Sequence, residues 1–316
     1  MLAISSQTSL KCIKRTQKLM GNSFELTVVA EDEAWANAKL DMAVAEIKRI
    51  EKLLTTFDEG SQTNQINQQA GIAAVKVDRE VFNLIERSIR ISSVTDGAFD
   101  ISYGSIDERL WNFDQHMIAL PSAAQAKAMV RLINYQNILL DHQNSTIKLK
   151  EVGMRIGFGG IGKGYAAEMA KNLLQKEGVK SGIVNAAGDL TVWGKQPNGQ
   201  PWTIGVVNPD FKHLPFSYLN VTDMAVATSG NYEKYVIIDG VKYSHTINPR
   251  TGLPARGIKS VTIISPNAEI ADAMATPVTI MGVAAGLNLV NQIHHLACII
   301  IDDHNQIYTS KNISIQ

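Results

Sequence analysis

Gly157-Phe158-Gly159-Gly160-Ile161-Gly162-Lys163-Gly164 is the stretch on which the fold turns, because it fits two familiar glycine patterns at once. Gly157, Gly159 and Gly162 fit GxGxxG, which between a strand and a helix marks a dinucleotide-binding βαβ unit. Gly157, Gly162 and Lys163 fit most of GxxxxGK, but a P-loop continues with a Ser or Thr whose hydroxyl binds magnesium, and this chain has Gly164 there. That missing hydroxyl argues against an NTPase. Glycines ahead of a helix N-terminus let backbone N–H groups approach a phosphate, and Lys163 adds a positive charge. A tight strand-to-helix turn with no ligand would leave the same trace.

The flanking pattern decides between these folds. Before the glycines, Ile138-Leu139-Leu140, a turn at Asp141 to Asn144, then Ile147 and Leu149 read as paired strands. After them a helix spans about 163–177 and stops at Gly178. Strands follow at 182–186, 189–194, 202–207, 234–239 and 259–265, then helices at 268–276 and 282–293 and a strand pair at 296–301 and 306–309. Toward the N-terminus, 23–30 reads as a strand. Residues 31–55 read as a helix carrying Leu40, Ala43, Val44, Ile47, Ile50 and Leu54. Helices are also expected at 78–94 and, behind a Ser122 N-cap, at 122–133. The polar stretch Thr55 to Gly71 has the composition of a linker. Strands and helices mix without strict alternation, so a doubly wound dinucleotide fold is disfavoured. The reading is α+β, one intertwined unit.

Lysine plus arginine (30) equals aspartate plus glutamate (30) in 316 residues, which gives none of the basic excess of a nucleic-acid binder. With 45% hydrophobic and 19% charged residues the chain is globular. Cys12 and Cys298 stand at opposite ends, and Cys298 within an apolar run reads as a small buried hydrophobe, not part of a disulfide framework. No apolar stretch reaches the roughly 20 residues of a membrane span. The N-terminus lacks the apolar core of a signal peptide. As written the chain reads as cytoplasmic, or as exported if a signal was trimmed.

Two further constellations carry chemistry. Asp272 and Thr276, four apart in Glu269-Ile270-Ala271-Asp272-Ala273-Met274-Ala275-Thr276, put a carboxylate and a hydroxyl on one helix face. Both are hard oxygen donors suited to magnesium, although an acidic first turn and a threonine bonded to its own helix give the same sequence. Ser244-His245-Thr246-Ile247-Asn248-Pro249-Arg250-Thr251-Gly252 holds a histidine on a turn, where it can serve as a general base or simply fill a structural hydrogen bond.

Taken in order, these segments resemble the ApbE family, the FAD:protein FMN transferases. The resemblance runs from Met20-Gly21 through Ile66-Asn67, Thr95-Asp96-Gly97-Ala98-Phe99-Asp100 and a near-match at Leu110-Trp111-Asn112-Phe113. It continues through Gly159 to Ala166, Asn185 to Asp189, Ala227-Thr228-Ser229-Gly230-Asn231-Tyr232, His245 to Gly252 and Ala271 to Thr276. The resemblance implies a single α+β domain over 20–316 with mixed sheets, flanking helices and an active site at a central cleft, leaving 1–19 as an N-terminal extension, and the linker-like stretch 55–71 becomes part of a flavin-binding wall. The resemblance implies a magnesium (or manganese) site made by the side chains of Asp272 and Thr276 with a loop carbonyl best matched by Gly160. It places Met20, Phe57, Ala98, Phe99, Asp100, Lys163, Thr246 and Ala275 against FAD, and His245 as the base. It implies as partner an acceptor protein with a Ser or Thr flavinylation site, such as a membrane redox subunit. With water as nucleophile the same site would be an FAD pyrophosphatase, and without turnover a flavin carrier. This chain departs from the family pattern at Gly157 (commonly Asp), Gly162 (usually Ala), Ala187 (usually Gly) and Asn248 (usually Asp), so its FAD affinity is expected to differ from a typical member's.

Overall fold

The computed structural model describes residues 9–106, 119–210, 214–230 and 235–313. In chain order the strands are β1 (Lys11–Leu19), β2 (Asn22–Ala30), β3 (Val75–Lys76), β4 (Ile138–Asp141), β5 (Thr146–Leu149), β6 (Gly182–Ala186), β7 (Asp189–Trp193), β8 (Trp202–Val207), β9 (Pro215–Val221), β10 (Met224–Gly230), β11 (Tyr235–Ile238), β12 (Val241–Ser244), β13 (Ile258–Ser265), β14 (Ala297–Asp302) and β15 (Ile307–Thr309). The helices are α1 (Glu33–Leu54), α2 (Gln62–Gln68), α3 (Arg79–Val94), α4 (Ala123–Met129), α5 (Gly162–Lys176), α6 (Ala268–Met281) and α7 (Val283–Val290).

Eight strands form one sheet in the order β1-β2-β6-β7-β10-β13-β14-β15, antiparallel at each pairing. An antiparallel sheet closes on hairpins and needs no βαβ crossover, which excludes the doubly wound alternative. Alternate residues serve opposite faces. Phe24, Leu26 and Val28 of β2 pack beneath α1, α5 and α6, where Leu40, Ile47, Ile50, Ala166 and Ala170 are fully buried. The other face, with Val29, Val192, Val226, Ile264 and Ile299, is covered by the β8–β9 hairpin through Trp202, Ile204 and Val206. Each large apolar side chain so buried contributes about 1.5–3 kcal/mol, which anchors α1 and α5 as rigid walls. A second lobe adds the β3-β5-β4 sheet, and a small core of Met129, Val130, Val236, Ile238 and Ile247 seats the β11–β12 hairpin on α4.

Several boundaries differ from the sequence reading. Residues 11–19, read as an extension, supply the edge strand β1, whose exposed Lys11, Lys14 and Lys18 leave little hydrophobic pattern to detect. The linker-like stretch contains α2. The helix expected to end before Pro277 runs on to Met281 because Ala273, Met274 and Val278 are buried on either side of the proline, which deletes a single backbone bond. The helix at 122–133 stops at Met129, and that at 282–293 covers 283–290. Strands β3, β9, β10 and β12 were not anticipated. The motif residues Leu110 to Phe113 and Asn231-Tyr232 lie outside the described residues. Cys298 is buried as expected. Among the described residues no helix is long and apolar enough to cross a membrane.

Candidate functional site

Two hairpin turns sit at one end of the sheet. Leu19 pairs with Asn22 and Ala186 with Asp189, leaving two-residue turns at Met20-Gly21 and Ala187-Gly188. All four turn residues have positive φ (50°, 72°, 55° and 103°), the backbone that two-residue hairpins need if they are to match strand twist. The Met20-Gly21 turn borders a cleft of about 1490 Å³. Met20, Phe57, Ala98, Phe99, Asp100, Gly160, Lys163, His245, Thr246 and Thr276 all line it, so residues up to 256 apart in the chain share one cavity (276 − 20). Asp272 and Ala275 lie just beneath, both buried.

The glycine loop forms one wall. A Cβ added at Gly159 would touch nothing within 4 Å, and at Gly157 or Gly160 it would meet only ordinary contacts at 3.8 and 3.6 Å. None of the three has a positive φ. Neither backbone nor packing demands glycine at these positions, and each faces the cleft, so their bareness keeps room and amide groups open to an occupant. Gly164 is a different case. Its Cβ would lie 2.2 Å from the carbonyl oxygen of Ala268 and 2.6 Å from Cβ of Asp272. The residue that breaks the P-loop pattern is the one that lets α6 approach α5.

That approach makes a reciprocal pair of caps. Gly164 N–H in the first turn of α5 donates to Asp272 Oδ2 at 2.8 Å, and Ala268 N–H opening α6 donates to Glu168 Oε2 at 2.8 Å. Each helix thereby places a carboxylate at the other's positive end. Lys163, the next residue back, is ion-paired with Asp189, whose Oδ1 also accepts from Thr228 N–H at 3.3 Å. Burial, and secondly the Asp189 charge, push the Asp272 carboxyl well above the usual carboxylate range, against the opposing pull of Lys163 and the Gly164 amide. Burial and the neighbouring Asp189 together disfavour a full negative charge on Asp272 when nothing else is bound there.

The polar stretch 55–71 is held by its own side chains. Asn64 Nδ2 donates to the carbonyls of Thr56 (2.9 Å) and Asp58 (2.7 Å), and Ser61 Oγ to that of Thr55 (2.6 Å). The loop so fixed projects Phe57 into the cleft with 98% of its surface exposed. Asp100 is spent structurally: Oδ1 accepts from Ser102 N and Oγ at 2.8 and 2.6 Å, and Oδ2 from Tyr135 N at 2.7 Å. Its burial raises the carboxyl pKa despite these bonds. In the 245–252 turn, Asn248 Oδ1 accepts from Arg250 N–H at 2.9 Å, a role the amide performs as well as a carboxylate, while Arg250 pairs with Asp96 and ties this turn to the Thr95–Asp100 loop. Sequence reasoning did not foresee the Lys163–Asp189 pair or the lining by Tyr103, Ser229 and Tyr235. The Ala187-Gly188 turn ahead of Asp189 was the available clue to the first.

The sequence matches the ApbE family model over residues 20–300. The chain belongs to the ApbE family. An FAD:protein FMN transferase from Klebsiella pneumoniae is 32% identical over 92% of this chain and 90% of its own length. The ApbE protein of Thermotoga maritima superposes with a TM-score of 0.86 at 30% identity, covering 96% of this chain and 98% of that one. The apo flavinyl transferase ApbE of Pseudomonas stutzeri gives 0.83 at 25% identity, with 97% and 96% covered. The α+β class read from the sequence is the class of these ApbE structures. Within the family frame, Ala187 stands in a left-handed conformation, and a Cβ at Gly162 would sit 3.3 Å from Cβ of Phe158.

Proposed function

We propose that the protein is a magnesium-dependent FAD:protein FMN transferase, which cleaves FAD and moves its FMN half onto a Ser or Thr hydroxyl of another protein. Membership of the ApbE family and the similarity to named FAD:protein FMN transferases support the reaction class. The observation that carries it here is the convergence of a bare glycine wall, Lys163, Thr276 and His245 on one cleft. That cleft exceeds the about 300–1,000 Å³ that holds a drug-sized ligand, as a dinucleotide meeting a protein segment requires.

The chain's residues divide the work. Met20, Phe57, Ala98 and Phe99 offer apolar surface to the FAD rings, and Lys163 with the glycine loop ahead of α5 faces the diphosphate. Thr246 and the backbone at Asp100 complete the cradle, with Ala275 supporting it from beneath. The residues also fit a cation: Asp272, Thr276 and the Gly160 carbonyl are hard oxygen donors, and Asp272 and Asp189 are two buried carboxyl groups close enough to repel one another when charged. Those three would hold Mg²⁺ or Mn²⁺, which when bound neutralises charge on the diphosphate. The acceptor hydroxyl attacks the FMN-side phosphorus and gives its proton to His245. A new P–O bond forms to the acceptor, the P–O bond to the bridging oxygen breaks, and AMP leaves with that oxygen. The acceptor is a protein bearing a flavinylation site, such as a membrane-bound redox subunit.

Incubation with FAD, magnesium and a candidate acceptor, followed by a denaturing gel, tests this: a flavin-fluorescent acceptor band and an equal yield of AMP are expected. AMP with no labelled band would assign water as the nucleophile. FAD bound without either product would make the protein a carrier.

A further inference from the structure

Behind the cleft, a run of polar side chains given no part in the reaction ties four helices together. Arg49 of α1 clamps Glu80 of α3 with bonds of 2.7 and 3.0 Å. Tyr165 of α5 donates its hydroxyl to the same carboxylate at 2.6 Å. Arg87 of α3 lies 5.7 Å from the centre of the Tyr165 ring and grips Glu269 of α6 with two bonds, 2.7 and 2.9 Å. Tyr165 and Glu269 are both buried.

The placement of this run matters more than its strength. Tyr165 is the residue after Gly164, and Glu269 is three before Asp272, about one helical turn away. The run therefore brackets the Gly164–Asp272 bond, fixing the donor from one side and the acceptor from the other. The fork joins a buried Glu269 to an Arg87 that keeps 38% of its side-chain surface, so it adds little net stability, and the best-attested use of such a pair is to fix one register among alternatives. At the closest α5–α6 approach the Ala268 carbonyl and the Asp272 Cβ lie over Gly164, so a small shift of α6 there would move the Asp272 carboxylate off the Gly164 amide.

We propose that the Arg87–Glu269 fork, steadied by Tyr165 and Glu80, is a positioning device that holds Asp272 at the start of α5 and so sets the affinity of the cleft for a divalent cation. This rests on the reading of Asp272 as a ligand to that cation. Groups that orient a metal ligand from behind typically contribute about 10–100-fold to metal affinity.

Calorimetric titration of the full chain with Mn²⁺ alone, before any FAD is added, separates the two claims. Asp272→Asn must abolish Mn²⁺ binding; if it does not, the reading of Asp272 fails, whatever the fork does. With that established, Glu269→Gln should weaken Mn²⁺ binding about tenfold. Tyr165→Phe, which removes one hydroxyl and no charge, should weaken it in the same direction, so the effect cannot be a lost charge acting through space. Arg87→Lys, which keeps the charge but not the fork, should fall between wild type and Arg87→Met with Glu269→Gln. Folded Tyr165→Phe and Glu269→Gln proteins that bind Mn²⁺ within twofold of wild type would overturn the proposal. If Glu269→Gln does not fold, Tyr165→Phe and Arg87→Lys decide the matter.

Discussion

The amide of Gly164 and the carboxylate of Asp272, 108 residues apart, meet at 2.8 Å, and only a residue without a side chain permits it. A methyl group at 164 would overlap the Ala268 carbonyl, which is backbone and cannot turn aside. Gly164→Ala should therefore cost about 1–3 kcal/mol by overpacking and displace Asp272. Gly159→Ala is the matched control, because its methyl meets no protein atom yet enters the cleft. It should leave thermal stability unchanged while weakening FAD binding. Thermal melts and FAD titrations of both variants check the contrast; equal stability losses would refute it.

Phe57 is almost fully exposed, so folding gains little from it. Phe57→Ala should shift stability by no more than about 0.5 kcal/mol. If the ring stacks on FAD, its removal should weaken FAD binding by about 1–3 kcal/mol, on the scale of ring-on-base stacking. A fluorescence titration that shows unchanged affinity would remove Phe57 from the binding wall.

The features legible in the sequence were those set by local periodicity. The apolar stripe of α1, the i,i+4 spacing of Asp272 and Thr276, and Gly178 at the end of α5 all act over a turn or two, and the structure has each. Where polar side chains turn inward, composition misleads. Asn64, Ser61 and Thr63 look like linker residues but bond the carbonyls that shape the Phe57 loop. Edge strand β1 hid because its lysines face solvent. The Lys163–Asp189 pair depends on a hairpin that brings β7 beside the glycine loop, a relation that no spacing along the chain encodes.

Ala187 and Met20 both occupy left-handed backbone, which costs a residue with a Cβ about 1–2 kcal/mol. Ala187→Gly should recover about 1 kcal/mol, read as a higher denaturant midpoint with an unchanged slope. Met20→Asn should stabilise as well, since asparagine tolerates this conformation. It should also weaken FAD binding, because the thioether that lines the cleft is lost. A Met20→Asn protein that gains stability and keeps full FAD affinity would show that Met20 is a turn residue only.

Glu80 supplies the pH test. Hydrogen bonding to Arg49, and after the opposing effect of burial the bond from Tyr165, hold its carboxyl below the ordinary 4.5. A carboxylate whose folded pKa is depressed stabilises the fold above its unfolded pKa and loses that contribution as pH falls through the folded value. The stability gap between wild type and Glu80→Gln should therefore be full at neutral pH and close as the pH drops below 4.5. Arg49 and Glu80 keep 46% and 29% of their side-chain surface, so solvent screens the pair and the gap at neutral pH should shrink in high salt. Denaturant titrations across this range, at low and high salt, measure both effects. A gap insensitive to pH would mean that packing around Tyr165, and not the Glu80 charge, holds α3 against α5.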